Sequence, residues 1–132
     1  SIIKELPSLK SRKLDFDLLK DIFLYFKNAE LPILKFGIRP GFAQASQDIL
    51  KSIVPISSIL MLYGEFSCFG IDQRKIKECR LTFYNHIEKR RSLIELFDFD
   101  NNIIAVFHCG FQCNSNQIDL WEKVINTVPM YQ

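Results

Sequence analysis

The side chains that could do chemistry in this 132-residue chain are few. There are two histidines, His86 and His108, and four cysteines, Cys68, Cys79, Cys109 and Cys113. A basic run, Lys89-Arg90-Arg91, follows His86 closely. Imidazole nitrogens ligate metals or move protons near neutral pH. Guanidinium groups grip carboxylates and phosphates through paired hydrogen bonds. His108 alternates with Ile104 and Val106, so it shares their face of a strand. If that face lines a pocket, His108 is a ligand or a base; otherwise it is a satisfied core or edge histidine. His86 sits at a strand end beside Glu88, Lys89, Arg90 and Arg91. It is either part of a cationic site or an exposed loop residue, and the basic run is either an anion site or a solvated hairpin end.

The cysteines do not form the Cys-x-x-Cys pairs of a structural zinc site. Cys109 and Cys113 are four apart, which brings them together only in a helix, and Gly110 argues against one. All four read as buried, reduced thiols of a cytosolic protein. The sequence has no Gly-x-Ser-x-Gly elbow and no glycine-rich phosphate loop. Seventeen basic against 15 acidic residues give a net charge of +2, too balanced to favour nucleic acid or a membrane surface. No apolar run approaches the ~20 residues of a spanning helix, and no signal peptide is expected in residues 1–13.

These groups must be positioned by a short list of elements. The stretch from Arg90 to Gly110 organises them: two apolar runs flank Asp100-Asn101-Asn102, a polar turn whose residues tolerate left-handed backbone, so it reads as a β-hairpin. Residues 1–13 read as a loose basic lead-in. Asp15 or Asp17 caps a helix to about Asn28, with Leu18, Leu19, Ile22, Phe23 and Phe26 on one apolar face. Leu31–Ile38 and Phe42–Gln47 form a hairpin around Pro40-Gly41. Asp48 to Tyr63 fits either a short helix or two strands broken near Pro55. Phe66–Ile71 and Cys79–His86 are further strands. Ser115 or Asn116 caps a last helix, with Ile118, Trp121, Val124, Ile125 and Val128 on one side, and Pro129 stops it. The expected architecture is a single α+β domain over residues 1–132, an antiparallel β-sheet with N- and C-terminal helices packed on one face.

Four segments carry a resemblance. Ser92-Leu93-Ile94-Glu95-Leu96-Phe97-Asp98, its turn, and Ile103 to Gly110 resemble the repeat of the cytoplasmic haem-utilisation family, the HemS/ChuX/HutX type. Lys35 to Gln44 is similar to that family's Arg-x-Gly-x-x-Pro-Gly-x-x-Gln strand-turn-strand. Glu65–Ile71 is similar to its Phe-x-Leu-His-Leu strand, and Trp121 with Val128-Pro129 to its closing helix. The likeness spans about residues 31–130 and implies strands at Ile49–Val54 and Ile56–Leu62. It further implies a cytoplasmic haem-binding protein that carries or stores haem, with one repeat per chain and hence a homodimer. Haem needs an axial ligand on iron and cations for its propionates. The resemblance then nominates His86, His108 and Tyr84, in that order, for iron, and Arg90, Arg91 and Arg39 for the propionates. Where the family strand has its histidine, this chain has Cys68 or Phe69. Two other readings stand beside haem carriage: an interaction scaffold that keeps the fold without haem, and a haem-degrading oxygenase.

Overall fold

The computed structural model describes residues 10–87 and 89–128. Strand β1 (Lys10–Leu14) leads into helix α1 (Phe16–Asn28). Strands β2 (Ile33–Arg39), β3 (Phe42–Asp48), β4 (Leu50–Ile56), β5 (Ile59–Gly64) and β6 (Cys68–Asp72) follow, then a 3-10 turn at Gln73–Lys75. Strands β7 (Glu78–His86), β8 (Lys89–Phe97) and β9 (Ile103–Cys109) precede helix α2 (Ser115–Thr127). The α+β expectation holds, but the strands are shared between two antiparallel sheets. The larger runs β1-β7-β8-β9-β2-β3, and the smaller runs β4-β5-β6.

Local chemistry explains most boundaries. The Asp15 carboxylate accepts from the Asp17 amide and starts α1. Gly41, at φ +88°, takes the left-handed position of the β2–β3 turn, after Pro40. Asn101, at φ 65°, does the same for the β8–β9 turn, where Asp98 accepts from the amides of Asp100 and Asn102. Helix α2 starts one residue earlier than expected: Asn114 and Gln117 form a reciprocal capping box. Pro129, the expected stop, lies outside the described residues.

Two expectations fail instructively. The basic lead-in is in part a strand: β1 pairs with β7 along its whole length, from Lys10↔Phe83 to Leu14↔Cys79. Alternation over five mostly charged residues is invisible as an apolar pattern, because β1 is an edge whose stability comes from backbone pairing. The β4–β5 turn lies at Ser57-Ser58, with Ser57 at φ 56°, not at Pro55. Pro55 is tolerated within β4 because that strand is an edge and its missing N–H faces no partner.

Alternation divides the six-stranded sheet. Cys79, Leu81, Phe83, Ser92, Ile94, Leu96, Ala105, Phe107 and Cys109 form its buried face. Helix α1 delivers Leu19, Ile22, Phe23 and Phe26 to that core, with the Phe23 and Phe107 ring centroids 4.9 Å apart. Trp121 of α2 stacks on Phe26 at 4.9 Å and is fully buried. Asp48, at the end of β3, ties that sheet to the segment ahead of β6 and holds a buried ion pair within its own sheet. Lys35 Nζ meets Asp48 Oδ1 at 2.6 Å, and Asp48 Oδ2 accepts from the Phe66 amide and the Ser67 hydroxyl ahead of β6. Burial works against the Asp48 carboxylate, but these donors and the Lys35 charge hold its pKa below the usual 3.8.

Candidate functional site

On the opposite face of the large sheet, Tyr84, Arg91 and His108 come together. Tyr84 pairs with Arg91 across β7 and β8. The Tyr84 hydroxyl reaches over β8 to His108 Nε2 on β9, at 3.0 Å. His108 Nδ1 lies 3.0 Å from the Cys109 carbonyl. A carbonyl can only accept, so Nδ1 carries the proton and Nε2 accepts from Tyr84. Burial lowers the His108 pKa below 6.5; the Cys109 carbonyl opposes that shift and the Arg91 charge adds to it. His108 is therefore a neutral imidazole at pH 7, in one tautomer, with its Nε2 lone pair engaged by the Tyr84 hydroxyl. An imidazole oriented through its other nitrogen is the usual arrangement of a metal-ligating histidine.

The surroundings follow from a parting of two strands. The β8–β9 ladder begins at Ile94↔Phe107, although β8 continues back to Lys89 alongside β7. Helix α2 enters the gap. The Ser92 amide and hydroxyl donate to the Glu122 carboxylate at 3.0 and 2.9 Å, and Trp121 Nε1 donates to the Ser92 carbonyl at 2.9 Å. The Trp121 ring centroid lies 5.9 Å from that of His108. Burial raises the Glu122 pKa, against the opposing pull of Ser92, Arg91 and Arg90. Burial also raises that of Tyr84, with Cys109 and Glu122 adding to it and Arg91 opposing. Tyr84 is thus a neutral hydroxyl rather than a tyrosinate.

The remaining nominated residues lie elsewhere. His86 pairs with Lys89 at the exposed hairpin tip, on the Tyr84 side of the sheet. Arg90 and Arg91 point to opposite faces, as neighbours in a strand must, and do not act as one cluster. Arg90 lies over the Phe83 ring, its guanidinium carbon 4.2 Å from the centroid. Arg39 is at the far end of β2, where the β2–β3 hairpin and strand β6 border a cleft of about 390 Å³ with Phe42, Cys68, Phe69 and Lys75. Leu96 lines that cleft and sits five residues from Arg91, roughly 17 Å along the strand. Glu88, expected beside His86, lies outside the described residues.

The cysteine expectation is half right. Cys79 and Cys109 are buried, Cys113 is half-buried, and Cys68 is exposed at the cleft. Cys109 and Cys113 do approach each other without a helix: the chain doubles back at Gly110, where the Cys113 amide donates to the Gly110 carbonyl. Burial, Cys113 and Glu122 push the Cys109 thiol up to about 12 against Arg91, so it stays protonated. Sequence reasoning missed Glu122, which lies off the apolar stripe expected of the last helix. Among the described residues no group of three or more His, Cys, Asp or Glu is placed to hold a bare metal ion, and no helix is long and apolar enough to cross a membrane.

No family model and no curated protein matches the chain. Solved structures do. Haem-bound PhuS of Pseudomonas aeruginosa, described as a heme-binding protein, superposes with a TM-score of 0.81 at 15% identity, over 92% of this chain and 35% of its own. ChuS, described as an E. coli heme oxygenase, gives 0.76 at 18%, over 96% of this chain and 38% of its own. The heme-binding protein ChuX gives 0.67 at 13%, over 92% of this chain and 78% of its own. This chain therefore has the fold of these proteins, spanning about a third of the first two and most of the third.

Proposed function

We propose that this chain binds haem and carries or stores it in the cytoplasm. The carrying observation is His108: a neutral imidazole, oriented by a backbone carbonyl, with Nε2 bonded to the Tyr84 hydroxyl on a half-buried sheet face beside an arginine. Residues present fit the group. His108 Nε2 would hold the iron once the Tyr84 hydroxyl gave up its hydrogen bond there. Arg91 is the propionate partner, and Leu93, Val106 and Phe36, all half-buried on this face, offer apolar contact to a porphyrin. The geometry favours His108 over His86, which has no orienting partner of this kind among the described residues, and it favours Arg91 over Arg90 and Arg39. The fold shared with PhuS and ChuX supports the same reading.

A porphyrin on an open sheet needs a second wall. A second copy of this chain supplies it, so the reading includes a homodimer built on this face, with residues 1–132 acting as one domain. Carriage requires only ligation and release; a haem-degrading oxygenase would add bilin and iron release under reductant and oxygen. The test is spectroscopic. His108→Ala is expected to move or abolish the haem absorption bands, while His86→Ala leaves them in place. The reverse pattern would transfer the ligand role to the hairpin tip.

A further inference from the structure

The haem reading leaves the cleft between the two sheets unused. Its walls come from the β2–β3 hairpin on one side and from β6 and the turn after it on the other. At about 390 Å³ it lies at the low end of the ~300–1,000 Å³ usual for ligand pockets, so it takes a compact body. Gly37 pairs with Ala105 on the buried side of the large sheet, and Arg39, two residues on, shares that side. Phe42 is the register partner of Arg39, so a cation and an aromatic ring stand side by side at the mouth. Buried Leu96 and Ala105 and half-buried Phe69 make the floor apolar. The Phe69 ring is set edge-on to Phe107, centroids 5.5 Å apart. It lies against β2 because Gly37 has no side chain; a Cβ there would come within 3.3 Å of the Phe69 Cε2. Phe42 leaves 54% of its surface open. Arg39 and Lys75, both exposed, line the same cleft, and neither is in a salt bridge among the described residues. The acidic residue of the lining, Asp72, is already held by Arg74 Nε at 3.2 Å, Arg74 Nη2 at 3.0 Å and the Ser58 hydroxyl. The charge facing the cleft is therefore positive and uncompensated.

We propose that this cleft binds a compact aromatic carboxylate, its ring against Phe42 and Phe69 and its carboxylate on the fork of Arg39. Lys75 adds positive charge to the cleft without having to touch the same group. A purely apolar ligand would leave the cations unmatched, and a bare inorganic anion would leave the aromatic floor wet. A molecule with both parts satisfies both. The site is separate from the haem site, because His108 lies on the other face of the sheet.

The test is a titration of the full chain with 2-naphthoate, and separately with the neutral 2-naphthalenemethanol, at constant ionic strength. The backbone amide signals of Gly37 and Gly70, both in the cleft wall, are followed by nuclear magnetic resonance. Saturable shifts at both glycines are expected, with the neutral probe binding about tenfold more weakly. Arg39→Gln, at an exposed position, should weaken naphthoate about tenfold while leaving the rest of the spectrum in place. Equal affinity for the two probes, unchanged affinity in the variant, or shifts that grow linearly without saturating would overturn the proposal. So would displacement of naphthoate by one equivalent of haemin, which would make the cleft the seat of haem instead of the His108 face.

Discussion

The fate of each nominated residue turned on what its neighbours do with its hydrogen-bonding atoms. His108 and His86 are equally plausible ligands in the sequence, since period alone says which face a residue takes and not what covers it. In the fold His108 has both ring nitrogens assigned, and His86 stands at an exposed tip. Arg90 and Arg91 are adjacent in sequence, and strand alternation alone should have separated them. The depressed pKa of His108 has a consequence for stability. The unfolded chain takes up a proton near pH 6.5, before the folded one does, so the folded state is penalised as pH falls below that value and not above it. Wild-type protein should therefore lose stability relative to His108→Gln as pH falls from 7 towards 5, measured by denaturant unfolding; parallel curves would mean the imidazole titrates freely. The buried pair makes a second case. Asp48→Asn leaves Lys35, which has no exposed surface, without its counter-charge. That should cost about 3–5 kcal/mol in unfolding free energy, and a cost below about 1 kcal/mol would mean Lys35 escapes to water.

At the scale of elements, the apolar patterns did most of the work. Helix α1, the β2–β3 hairpin and the β8–β9 hairpin were legible because period, cap and turn residues agree within each. Strand β1 was not, since a charged edge strand carries no apolar signal. The division into two sheets was not legible either: no local residue says whether β4, β5 and β6 continue the first sheet, and the carboxylate that ties them, Asp48, has its partners 18 and 19 residues away. The site depends on an element interaction that no local pattern contains, the parting of β8 from β9 and its filling by α2. Trp121 is the wedge, stacked on Phe26, bonded to Ser92 and beside His108. Trp121→Ala is expected to cost about 3–5 kcal/mol by calorimetry or denaturant unfolding. It should also loosen the His108 ring, broadening its resonances; a loss under about 1 kcal/mol would mean α2 is not docked through this residue.

At the scale of the whole molecule, the half-buried face of the six-stranded sheet is the open question that the haem reading answers. Phe36, Val106 and Leu93 leave an apolar surface beside Tyr84, Arg91 and His108, and Ile38 and Phe97 continue it further along the strands. A porphyrin with a second chain over it would cover both. The measurement that tests the central claim most directly is a titration of haemin into the purified protein, followed in the Soret region, with sedimentation of the same sample. A saturable band whose position depends on His108, in a particle of twice the chain mass, is the predicted result. A featureless, non-saturating response from a monomer would contradict it, and would mean that this sheet face serves a partner other than haem.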